Sequence, residues 1–194
     1  MRKAQLIKKV LNERPEFLNV DTFFFVKPLE HILSGFCCEV TPRGAYIWKF
    51  AYPLFDKFDC ISLLYSQRLE YPEGYIDFEK VDKKELADEF LSRIDKYVEN
   101  AYQYLTLDQF CLLYEERPDL LKHERAEMTL GYTMVLLGEK ELAVKHLTGA
   151  VAYLREPALS ECQTILKFVD SDMESAKKAV LDLEHEMKSS IGLE

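Results

Sequence analysis

The sequence predicts an α+β protein: an antiparallel meander of three to five strands packed by helices, followed by an all-helical C-terminal half. Three observations carry this reading. Residues 44–55, G-A-Y-I-W-K-F-A-Y-P-L-F, form a long aromatic-rich run that holds the only tryptophan and has the composition of a central strand. At Asp82 the apolar spacing changes from two to three and four, placing Leu86, Phe90, Leu91, Ile94, Tyr97, Val98 and Ala101 on one helical stripe. No Gly- or Ser-rich linker separates the halves, so the 194 residues read as one compact unit, with a sheet region over 1–105 and a helical extension over 106–194.

Taken in order, residues 2–13 place Leu6, Ile7, Val10 and Leu11 on one side of an amphipathic helix that ends at Arg14-Pro15. A turn at Leu18-Asn19 leads to an edge strand over 20–26, which Pro28 closes. The strand over 31–40 joins the aromatic run through Thr41-Pro42-Arg43-Gly44, where proline suits the second turn position and glycine the fourth. Residues 60–69 add a third strand to this hairpin, and 75–78 a short last one. Asp82 with Glu85 has the form of a capping box opening a helix to about residue 104, and Thr106 with Gln109 opens a shorter one that stops before Pro118. Further helices are predicted over 119–137, 139–154, 158–169 and 172–189, the last opened by Ser171 and Glu174.

Alternation along the aromatic strand puts Tyr46, Trp48, Phe50 and Tyr52 on one face and Ala45, Ile47, Lys49 and Ala51 on the other. Four rings in a row either bury core area against a helix or line a groove for a ligand. Packing is the favoured reading. The groove would make this a small-molecule-binding protein or an enzyme with its site on that face.

The net charge of −9 is unevenly placed: residues 1–80 hold 11 bases and 11 acids, and residues 81–194 hold 14 bases and 23 acids. An acidic helical half disfavours nucleic acid and anionic membrane as partners and suits a basic protein. No apolar run is long enough to span a bilayer, and Lys8 and Lys9 interrupt the place where a signal peptide needs its apolar core, so a cytoplasmic protein is expected. Five cysteines without a C-x-x-C pair suggest neither a disulfide framework nor a zinc knuckle, and Cys37, Cys38, Cys60, Cys111 and Cys162 read mostly as small buried hydrophobes.

No sequence signature dictates a reaction. His31, His123, His146 and His185 lack the spacing of a metal-binding helix, and phosphate-cradling glycine loops and the nucleophile elbow are absent. Cys37-Cys38 would point to opposite faces of a strand, and Asp82, Glu85, Asp88 and Glu89 complement a helix dipole. Arg43 and Arg68 are candidate anion ligands that read more simply as solvated charges. No catalytic residue, cofactor or metal is assigned, and nothing here sets the oligomeric state.

Residues 130–150, L-G-Y-T-M-V-L-L-G-E-K-E-L-A-V-K-H-L-T-G-A, resemble one tetratricopeptide helix pair. Leu130-Gly131 stand at its Leu-Gly position, Gly138 at the turn, and Ala143, Leu147 and Ala150 in the second helix. The resemblance implies a close crossing with Gly131 facing Ala143, Gly138 ending the first helix in a left-handed conformation, and Leu147 packed between. Residues 158–189 space Ala176, Val180 and Leu183 similarly, but a binding array needs about three repeats, so a packing role is favoured over peptide binding. The order of elements, with Gly35-Phe36 opening a strand, loosely resembles small bacterial proteins of unknown function, some of them immunity partners of toxins. The expected function is therefore non-catalytic protein binding, with Glu139, Glu141 and Glu161 as the candidate partner surface and a basic toxin such as a nuclease as the concrete target.

Overall fold

The structure, a computed structural model, describes residues 3–58 and 60–193. The chain divides into two compact units. One comprises Met1–Tyr52 and Ile61–Leu105; the other comprises Pro53–Cys60 and Thr106–Glu194. The segment after the aromatic strand thus belongs with the helices that follow in sequence, although it precedes part of the sheet.

The first unit holds α1 (Lys3–Glu13), β1 (Phe17–Val20), β2 (Phe23–Val26), β3 (Ile32–Val40), β4 (Gly44–Pro53), β5 (Ser66–Arg68), β6 (Tyr75–Asp77) and α2 (Leu86–Ile94). The strands form one sheet in the order β1-β2-β3-β4-β5, with β6 also paired to β4. The middle of this order is β3, and β4 is an interior strand beside the two short edge strands: its Trp48, Lys49 and Phe50 oppose β5 while Gly44, Ala45 and Tyr46 oppose β6. One sheet face carries Phe24, Phe36, Cys38, Ala45 and Ile47 into a core with Leu6 and Val10 of α1 and Leu86, Phe90, Leu91 and Ile94 of α2. The β3–β4 turn forms as expected: Thr41 N–H donates to Gly44 O at 2.8 Å, and Gly44 N–H donates to the Thr41 hydroxyl at 3.2 Å.

Several predicted boundaries move, each for a local reason. The edge strand is β1, and its hairpin with β2 turns at Asp21 and Thr22 rather than at Leu18-Asn19. Asp21 takes a left-handed φ of 55°, tolerable for aspartate, and the Asn19 amide donates to its carbonyl at 2.9 Å. The strand expected over 60–69 shrinks to Ser66–Arg68 because Ser62 and Ser66 bond to nearby backbone instead of leaving it for a ladder. The helix expected over 82–104 is α-helical only through α2. Asp82 accepts from Lys84 N–H and caps a 3₁₀ turn at Lys83–Glu85, and a second 3₁₀ segment, Asp95–Tyr102, keeps Val98, Ala101 and Tyr104 three residues apart on one side.

In the second unit lie α3 (Leu107–Glu116), α4 (Glu124–Leu137), α5 (Lys140–Val151), α6 (Ala158–Ser171) and α7 (Met173–Ser190). Both arms of the Thr106–Gln109 capping box are present. Asp172, not Ser171, caps α7, accepting from Glu174 N–H at 3.1 Å and from the Ser175 hydroxyl; Ser171 ends α6. Every residue of α4 from Met128 to Val135 is buried, because α3, α5 and α7 all pack on it. Accordingly its apolar side chains run all round the helix instead of forming one stripe.

Candidate functional site

Alternation along β4 sends Tyr46, Trp48, Phe50 and Tyr52 to the sheet face opposite the core that receives Ala45 and Ile47. The four do not share one environment. Phe50 and Tyr52 are buried, and Phe50 meets the ring of Phe23 edge-on at 5.2 Å between centroids. Tyr46 and Trp48 are half-buried. Over both lies the guanidinium of Arg68, Trp48's partner across the β4–β5 pair, 3.9 Å from the Tyr46 centroid and 4.7 Å from that of Trp48. Tyr75 lies beside Tyr46 at 4.9 Å, and the Trp48 indole N–H donates to Glu39 at 2.9 Å. Core packing thus takes one end of the row, and an aromatic platform capped by an arginine takes the other. Arg68 is exposed to solvent, as expected of a surface charge, and is in addition stacked on the two rings.

A cleft of about 500 Å³ in the same unit includes Leu6, Phe23, Cys37, Val40, Leu63 and Leu86 in its walls, with the Lys3–Asp21 ion pair beside them. None of the four β4 aromatics lines it. Burial pushes the Cys37 thiol up to about 12 and the Cys38 thiol up as well, which keeps both protonated and weakly nucleophilic at neutral pH.

A second group of polar side chains comes together in the helical unit. Asp56 is fully buried, and Arg125, in the first turn of α4, donates its Nε–H to Asp56 Oδ1 at 2.6 Å. The same guanidinium donates to the Lys57 carbonyl and covers the Phe58 ring at 3.7 Å from its centroid. Lys57 pairs through its ammonium with Glu186 of α7. About two turns beyond Arg125 on α4, the Tyr132 hydroxyl donates to Glu161 Oε1 of α6 at 3.1 Å. Lys57, Phe58, Arg125, Pro157 and Glu161 line a cleft of about 370 Å³.

The charges in this cleft are not balanced pair by pair. Arg125 is matched by Asp56, and Lys57 by Glu186, but Glu161 forms no ion pair among the described residues. Burial pushes its carboxyl above the usual range, against the opposing pull of the Tyr132 hydrogen bond and of Arg125 and Lys57. Burial likewise drives the Tyr132 hydroxyl upward, so it stays protonated and can only donate to the carboxylate. Sequence reasoning missed Asp56, Phe58, Arg125 and Tyr132. Tyr132 alone carried a signal, since a tyrosine inside an apolar helix needs a partner for its hydroxyl.

The acids expected to form one partner surface are separated by their surroundings. Glu139 and Glu141 are exposed at the start of α5, where they complement its dipole, whereas Glu161 belongs to the cleft. In the helix pair, Leu130, Ala143, Leu147 and Ala150 are buried and Gly138 ends α4 with φ 84°, but Gly131 faces Leu147 and not Ala143. One further titratable pair bridges α4 and α5: Glu127 and His146 lie 3.8 Å apart, and burial pushes the carboxyl up and the imidazole down, towards their neutral forms.

Among the described residues no three His, Cys, Asp or Glu side chains gather as metal ligands would, and no helix is long and apolar enough to cross a membrane. No family model, curated protein or solved structure matches the chain.

Proposed function

We propose that this is a non-catalytic cytoplasmic protein that binds another, basic protein through the acidic surface of its helical unit. The partition of charge between the two units carries the reading. The helical unit has 11 Lys and Arg against 19 Asp and Glu, a net −8, while the sheet unit has 14 against 15, a net −1. Much of the surplus is exposed, at Glu115, Glu116, Glu139, Glu141, Glu156, Asp170 and Asp182. A compact body with one sign of charge steers an oppositely charged protein into encounter and repels polyanions. An immunity-type partner of a basic toxin is its concrete form. The test is capture from an extract of the source cells at low and high salt, by the native chain and by the double reversal Glu139→Lys, Glu141→Lys. A stoichiometric basic partner lost at about 1 M salt, where the Debye length falls to about 3 Å, and weakened by the reversal supports the reading. Capture indifferent to both rejects it.

The Arg68-capped platform favours a second reading, in which the sheet unit holds a planar or anionic small molecule at Tyr46 and Trp48. Saturable protection of Trp48 fluorescence by such a ligand would support it.

A further inference from the structure

We propose that the cleft beside Glu161 is the point at which the helical unit receives a lysine or arginine side chain of its partner. This rests on the protein-binding reading and adds to it a specific socket. Three features of the cleft define what fits. Its cations are already used: Arg125 by the Asp56 carboxylate, the Lys57 carbonyl and the Phe58 ring, and Lys57 by Glu186. An anion would therefore compete with contacts already made and would meet the Glu161 carboxylate. Glu161 is the one charged wall group that makes no direct ion pair among the described residues, Arg125 and Lys57 acting on it only from a distance while bound elsewhere, and its carboxylate is oriented by the Tyr132 hydroxyl. Of the remaining wall residues, Phe58, Pro157 and Ala158 are apolar and suit the methylene stem of a long cationic side chain, and the Ser190 hydroxyl donates to the Met187 carbonyl. A volume of about 370 Å³ takes one such side chain, not a folded element.

The bland account of Glu161 is that an acid in the first turn of α6 complements the helix dipole. That role is met equally well by an exposed carboxylate. It explains neither the partial burial, which makes the charge more costly, nor the tyrosine hydrogen bond, which favours the charged carboxylate and aims it into the cleft.

The test titrates isotope-labelled full-length protein with N-acetyl-arginine amide and, in parallel, with N-acetyl-citrulline amide, which keeps the shape and lacks the charge. Saturable shifts at Phe58, Arg125, Tyr132 and Glu161 with the arginine probe, at least about 10-fold weaker with citrulline, are expected. Glu161→Gln, which keeps an acceptor for Tyr132, should reduce the arginine affinity by a similar factor. Equal binding of both probes, no saturable shift at these residues, or arginine binding unchanged by the substitution overturns the inference. If the probe binds but Glu161→Gln leaves capture of the partner unaltered, the cation is a free small molecule and the partner side chain is excluded. Capture indifferent to salt and to the reversal at Glu139 and Glu141 would remove the protein-binding reading alone, because the titration needs no partner.

Discussion

Gly131 of α4 lies directly against the side chain of Leu147 on α5: a Cβ on Gly131 would stand 2.6 Å from Leu147 Cδ2 and 3.2 Å from its backbone nitrogen. Leu147 is fully buried, so it has little room to withdraw. Gly131→Ala should cost about 1–3 kcal/mol and Gly131→Leu more, the range for overpacked cores. Denaturant midpoints check this; an unchanged midpoint for both would show that the helices separate freely.

Gly138 ends α4 at φ 84°, and only the end of Lys177 comes near where its Cβ would be. Crowding is therefore not the issue there, and backbone strain is. Gly138→Val should destabilise by about 1–3 kcal/mol, since a β-branched residue tolerates that conformation poorly. Gly138→Asn should cost less in the same thermal melts.

Arg93 of α2 donates from Nη1 to the carbonyls of Pro72, Glu73 and Tyr75 at 2.7, 3.2 and 2.6 Å, while Glu89 holds its other edge at 3.2 Å. One guanidinium thus fixes the turn that leads into β6. Arg93→Ala should cost about 2 kcal/mol, as expected for hydrogen bonds from a charged donor. Arg93→Lys should recover only part, because a single ammonium does not reproduce the planar fork. Urea unfolding of the three proteins decides it.

Trp48 sits under the guanidinium of Arg68 and is half-buried. A neutral fluorescence quencher should reach it partially in the native protein and more fully after Arg68→Ala. If the native indole is as shielded as a core tryptophan and the substitution changes nothing, the platform is not a surface.

For Glu161 the pH dependence has a definite sign. Its carboxyl is raised in the folded state, chiefly by burial, with Tyr132, Arg125 and Lys57 opposing and Asp56 adding to the rise. The folded state therefore holds that proton more tightly than the unfolded chain does. The stability this confers is present at low pH and lost as pH rises through the folded value. Glu161→Gln should then match or exceed the native protein's stability at pH 7, with the difference closing below the ordinary carboxylate range. Affinity for the arginine probe should run the other way, falling on acidification from a higher pH than an ordinary carboxylate would give. Melting curves and titrations at matched pH values read both.

The sheet unit was legible where periodicity and turn chemistry agreed. Alternation marked β4, the Thr41–Gly44 turn set its hairpin with β3, and the stripe from Leu86 to Ile94 marked α2. Where serine hydroxyls satisfied the backbone locally, as at Ser62 and Ser66, the apolar alternation of residues 60–69 overstated the strand. Pattern resolved the aromatic row only as a row, because exposure along β4 depends on what covers each end. The cleft could not be read at all. Asp56 and Arg125 are 69 residues apart and Tyr132 and Glu161 are 29 apart, separations at which no local rule pairs them.

The helical unit borrows Pro53–Cys60 from the middle of the sheet sequence, and those residues supply Asp56, Lys57 and Phe58 to Arg125. A cut at residue 105 would consequently not release a transplantable module. The fragment from Thr106 onward would carry Arg125 stripped of the carboxylate, carbonyl and ring that now surround it, leaving a charge in a site built to neutralise it. A recombination breakpoint placed near that boundary would part Lys57 and Phe58 from the rest of the socket's wall, so the chain has to be inherited and engineered as one interleaved whole.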